Sequence, residues 1–126
     1  MNSTKYSEIT SLKAYVGGYF GHSYSIKIDF IGQKISWECS ERGVILEQCQ
    51  RKVREKTIRG LIERLKETNL LLWKEHYYEP IMDGTSWAVK IASNDKINEK
   101  SGSNGFPDEW DYFCKILSNL VRKPFR

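Results

Sequence analysis

The sequence predicts an α+β domain, a mainly antiparallel sheet of about six strands in the order ββββαββα with two helices packed on one face. Three observations carry this reading. Tyr24, Ile26, Ile28 and Phe30 alternate with Ser25, Lys27 and Asp29, the period of a strand with one buried face. Ile58, Leu61, Ile62 and Leu65 fall at i, i+3, i+4 and i+7, and Phe113, Ile116, Leu117, Leu120 and Val121 repeat that spacing, which places two amphipathic helices late in the chain. Strand-like runs separated by short turns, with helices arriving after them, favour antiparallel pairing over βαβ crossovers.

Each element has its own signal. Residues 9–15 read as an opening strand, reached through the flexible Gly17-Gly18 and Gly21 segment. The alternating run at 24–30 breaks at Gly32-Gln33 and resumes at Ile35, Trp37 and Cys39, so these two strands form a hairpin. Gly43 then precedes a fourth strand over 44–53, β-branched at its start and polar later, as suits a sheet edge. The first helix takes Thr57 as N-cap and stops at Asn69, and its interior Gly60 costs about 1 kcal/mol relative to alanine. A connection holding Trp73, Pro80 and Asp83-Gly84 leads to Trp87, Val89 and Ile91, a strand that turns at Asn94-Asp95 into a short polar partner over 96–101. Pro107-Asp108 opens the second helix, with Asp108 as cap and Asp111 in a capping-box-like position.

Length and composition agree with a single domain over residues 1–126. At this length folding removes roughly 65% of the unfolded chain's surface, enough for one core and too little for two. Hydrophobic residues at 40% and charged ones at 29% are those of a globular protein. The longest apolar run, Leu70 to Trp73, is far short of the ~18 residues of a membrane span. The first twenty residues lack the basic start, apolar stretch and cleavage site of an export signal. Cys39, Cys49 and Cys114 are odd in number and widely spaced, which suits buried free thiols in a reducing compartment; a cytoplasmic protein is expected.

From Trp73 onward, Asp83-Gly84, Ser86-Trp87 and its alternating strand, then Gly102-Ser103-Asn104 and Pro107 ahead of an amphipathic helix, resemble a family of small proteins of Gram-positive bacteria. The likeness spans the last two thirds of the chain and rests on turn and packing residues. It implies the α+β architecture above and no activity, since none is established for that family.

Motifs for chemistry are sparse. Only His22 and His76 are available as a base for a cysteine or serine nucleophile, and burial of the thiols would suppress their reactivity. Two histidines and three cysteines without C-x-x-C or H-x-x-x-H spacing give no metal site, and no cofactor is expected. Asp108 and Asp111 suit a helix N-terminus, and Asp83 suits a turn, so structural roles absorb the densest carboxylates. Gly17-Gly18-x-x-Gly21 precedes a strand, and Gly102 to Gly105 leads into a helix end already occupied by acids, so neither is a phosphate loop.

Charge geography is more informative. The net charge is +4, yet residues 50–66 hold seven basic residues, Arg51, Lys52, Arg54, Lys56, Arg59, Arg64 and Lys66, against Glu55 and Glu63. On a strand Lys52 and Arg54 share a face, and Arg59 and Lys66 lie on the solvent side of the helix, which predicts one continuous positive surface for macromolecule binding. A solvated edge strand guarded by its charges explains the same residues without any partner. Tyr77 and Tyr78, beside His76 in a long connection, are candidate interface aromatics.

Three functional readings follow. The preferred one is a small non-enzymatic interaction module that binds a protein or nucleoprotein partner with an acidic surface, on the analogy of mobile-element-encoded inhibitors of nucleic-acid-handling machines. The second is direct nucleic-acid binding through the same basic window. The third is a small-ligand or enzymatic site between sheet and helices, using Asp83, Trp87 or Asn104.

Overall fold

Alternating side chains need a second layer to bury their apolar half, and here both helices supply it from the same side. The computed structural model describes residues 5–18, 21–80 and 84–126. Its strands are β1 (Ile9–Gly18), β2 (Ser23–Asp29), β3 (Lys34–Glu41), β4 (Val44–Lys52), β5 (His76–Tyr78), β6 (Thr85–Ser93) and β7 (Lys96–Ser103). The helices are α1 (Glu55–Glu67) and α2 (Trp110–Val121), with 3-10 turns at Tyr6–Glu8 and Leu70–Leu72.

All seven strands join one sheet in the order β4-β3-β2-β1-β6-β7-β5. Neighbours are antiparallel except β5, which lies parallel to β7. The sheet is therefore mixed and has seven strands, where about six were expected. The added strand, His76–Tyr78, is too short to show alternation, and it exists because its backbone pairs with Ser101, Gly102 and Ser103 of β7.

Leu12, Ile26, Ile28, Trp87, Val89 and Ile91 from the sheet meet Leu61, Leu65, Phe113 and Leu117 from the helices in a single buried core. At one end of it Trp73, Trp87 and Trp110 stack around Phe113, with ring centroids 4.7 Å apart for Trp87 and Trp110. The indoles of Trp73 and Trp87 donate to the carbonyls of Thr68 and Gly105, each at 2.8 Å, while the buried Trp110 indole has no hydrogen-bond partner among the described residues. Lys100 is buried too, and its ammonium donates to the Trp73 carbonyl at 2.6 Å.

Several local expectations need correcting. Thr57 does not cap α1: the N-cap is Arg54, whose carbonyl accepts from the amides of Thr57 and Ile58. Glu109, not Asp108, is the N-cap of α2, and it makes no side-chain cap bond. Asn69 does lie at the end of α1, with φ of 56°, just beyond the C-cap Thr68. Of the three thiols Cys39 and Cys114 are buried, while Cys49 is exposed, as is the whole of the edge strand β4. Arg42 and Gly43 both take positive φ, 52° and 81°, the geometry of a two-residue hairpin turn between β3 and β4.

Candidate functional site

The fold divides the basic window between the two sides of the sheet. Arg51 and Lys52 are consecutive in β4 and therefore point to opposite faces of the sheet. Arg51 stands opposite buried Ile35, on the helical side, and its guanidinium donates to the Leu120 carbonyl at 2.5 Å. Lys52 stands opposite Lys34, on the face that no described element covers. Arg54 shares no face with Lys52, because the strand ends at Lys52 and Arg54 begins α1. Lys56, Arg59 and Lys66 line the outer flank of α1, where Lys66 is paired with Glu63 at 3.1 Å. Lys52 is thereby parted by the sheet from the other members, so the window as a whole does not lie on one surface.

Two members of the window do converge with cations from elsewhere. A groove of about 370 Å³ between α1 and α2 is lined by Arg51, Arg64, Lys115 and Arg122, with Tyr112 and Leu120 among its walls. β4, α1 and α2 each contribute, so residues separated by most of the chain share one opening. Among the described residues none of these four cations is in a salt bridge. At the groove wall the Glu67 carboxylate accepts from the Tyr112 hydroxyl at 2.7 Å. That hydrogen bond, with some burial and the charge of Glu67, raises the Tyr112 pKa above its ordinary value, while Arg64 pulls it down. Part of the clustering has a structural cause, since Arg51 and Arg122 sit at the carbonyl end of α2.

Lys115 and Arg122 were missed by a reading confined to the charge-dense window. Their signal was in the sequence: positions 115, 119 and 122 share the polar stripe of the second helix. What could not be read is that this stripe faces Arg64.

The aromatic candidates separate as well. Tyr77 is half-buried, its ring 5.8 Å from that of Trp87, and its hydroxyl accepts from the Lys74 amide at 2.9 Å. Only Tyr78 is open to solvent, at 72% exposure. His76 is occupied with the Ser101 hydroxyl at 3.2 Å.

Burial pushes the Cys114 thiol up to about 12, so it stays protonated and unreactive at neutral pH. Among the described residues no three His, Cys, Asp or Glu side chains gather in a way that would hold a metal ion, and no helix is long and apolar enough to cross a membrane. Of the residues named for a ligand site between sheet and helices, Trp87 is buried inside the aromatic cluster, and the Asn104 side-chain oxygen accepts from the Thr85 amide at 2.9 Å. Asp83, the third residue named for a ligand site there, lies outside the described residues. No protein-family model matches the chain, and no curated protein matches it.

Proposed function

We propose that the protein is a non-enzymatic, stoichiometric binding module whose inter-helix groove receives an acidic segment of a protein partner. The observation that carries this reading is the convergence of Arg51, Arg64, Lys115 and Arg122, from three elements, on one opening without a salt-bridge partner among the described residues. Leu61, Ile116 and Leu120 also line the groove, so it suits a peptide that alternates carboxylates with an apolar anchor better than a bare phosphate chain. A protein of this kind acts by occupying a surface of its partner, as a small inhibitor of a larger machine does.

The test is a fluorescence-anisotropy titration with a labelled twelve-residue peptide rich in Glu and Asp around a central Leu. Binding that weakens at least tenfold in the double variant Arg64→Glu/Lys115→Glu supports the groove, provided circular dichroism melts show the variant folded. Equal affinity of wild type and variant, or no binding at low salt, refutes it. Preferential binding of a labelled oligonucleotide in place of the peptide, abolished by the same variant, would transfer the groove to the nucleic-acid reading.

A further inference from the structure

The second positive surface is on the other side of the sheet. Cross-strand partners share a face, and Lys13 of β1 stands directly opposite Lys27 of β2 on one side and Lys90 of β6 on the other. Three lysines thus occupy one row across three adjacent strands. The row continues at Ser36 of β3, and the next positions along that face are Lys34 of β3 and its partner Lys52 of β4. Together these five lysines run diagonally across β6, β1, β2, β3 and β4, a track of about 19 Å at the usual spacing of strands.

This arrangement is costly to the fold on its own terms. Like charges directly opposite one another destabilise a sheet, whereas a face that only needs solvation is served better by threonines or by alternating signs. Compensation is thin. Among the described residues the only salt bridge on the track joins Lys90 to Glu99 at 3.8 Å, between two well-exposed side chains, and such pairs contribute little. Asp29 and Glu38 flank the lysines on the same face, but Asp29 accepts from the Gly32 amide at 2.8 Å and neither is in a salt bridge among the described residues.

Beside the lysines the face is hollow. Small side chains at Ser25, Ser36 and Ala88 leave a cavity of about 670 Å³ bordered by Lys13, Tyr15, Lys27 and Lys90. Of the two aromatics that line this hollow, Trp37 is buried, and Tyr15, two residues along β1 from Lys13, is 39% exposed. Its side chain lies along the strand over Gly17: a methyl group added to Gly17 would collide with the hydroxyls of both Tyr15 and Ser23, which are themselves 3.3 Å apart. The phenol is thereby held down against the sheet, with room in front of it.

We propose that this uncovered face binds single-stranded nucleic acid, with the lysine track holding successive phosphates and Tyr15 stacking an unpaired base in the hollow. A charged track as long as several nucleotides fits a polyanion rather than one phosphate, and an aromatic laid on a sheet beside it serves bases that are free to unstack, which those of a duplex are not. The site shares only Lys52 with the basic window and nothing with the inter-helix groove, so it stands or falls independently of that reading.

The experiment is an anisotropy titration of the full chain with labelled twelve-nucleotide DNA and RNA single strands and the matching duplex, at several salt concentrations. The single strands are expected to bind more tightly than the duplex, with a slope of log K against log salt of about −3 for four to five phosphate contacts. Lys13→Gln, Lys27→Gln and Lys90→Gln should each flatten that slope by about 0.7. Tyr15→Ala should weaken binding about tenfold while Tyr15→Phe retains it, which separates stacking from the hydroxyl's bond to Ser23. Arg64→Glu/Lys115→Glu should keep the preference for single strands over the duplex, since neither residue lies on the track. Absence of single-strand binding at 50 mM salt, equal affinity for the duplex, or lysine variants that bind as wild type does would each overturn the proposal.

Discussion

The indole of Trp37, in the middle of β3, donates a 2.6 Å hydrogen bond to the carbonyl of Pro124, beyond the end of α2. Lys123 lies 5.5 Å from the centre of the same ring and is bonded to Glu47 at 2.7 Å, which raises its pKa. Next to it Phe125 is fully buried against Trp110. The C-terminal tail is therefore part of the core. Phe125→Ala should cost about 3–5 kcal/mol in urea unfolding, as for other buried aromatics, and Trp37→Phe about 1 kcal/mol. A tail that contributes nothing would leave both midpoints where they are.

Gly60 lies inside α1, and a methyl group there would meet only the far end of the Arg64 side chain, at 3.4 Å. Alanine removes the entropic penalty of glycine without a clash. Gly60→Ala should raise stability by up to about 1 kcal/mol, seen as a melting temperature higher by roughly 4 °C. A drop instead would mean that the Arg64 side chain cannot give way.

The three thiols should differ sharply in accessibility. Cys49 is exposed, whereas Cys39 and Cys114 are buried, and Cys114 is held near 12 by that burial. Under native conditions at pH 8 a maleimide should add one label, at Cys49, and peptide mapping should find the other two labelled only in denaturant. Rapid native labelling of Cys114 would contradict the packing of α2.

Burial lowers the pKa of Lys100 from the ordinary 10.5, and the charge of Glu75 opposes part of that shift. Below the lowered value the folded protein carries a buried charge at a cost. As pH rises through that value toward 10.5, the folded form releases the proton before the unfolded one, so unfolded chains bind more protons and stability increases. Relative to Lys100→Met, wild type should thus gain stability as pH rises toward 10.5, measured by urea unfolding at each pH. A constant difference would show that Lys100 titrates alike in both states.

Lys13 is flanked by like charges on both neighbouring strands. Lys13→Thr should stabilise the fold by about 0.2–1 kcal/mol and more at low salt than at high, because the repulsion it relieves is screened. Loss of stability would mean that the lysine stem packs usefully on the sheet.

How much of this was legible beforehand depends on the range over which the signal acts. The alternation from Tyr24 to Phe30 and the spacing of Ile58, Leu61 and Leu65 are local patterns, and local backbone geometry turns them into β2 and α1 wherever the chain packs. β5 was not legible, since three residues carry no period and the strand forms only through distant β7. The capping assignments failed for a related reason: Thr57 and Asp108 are good cap residues, but the helices begin where the preceding segments deliver the chain.

By itself the sequence determined that β2, β3 and β6 would each have one apolar face, that two amphipathic helices would cover it, and that Lys27 and Lys90 would be left on the polar side. The order of the strands was a tertiary decision. Placing β1 between β2 and β6 set Lys13 beside Lys27 and Lys90, residues that composition and period never link. The physical reason is that strand order and helix placement are selected by burial of the whole apolar surface at once, and the positions of the charges follow from that choice.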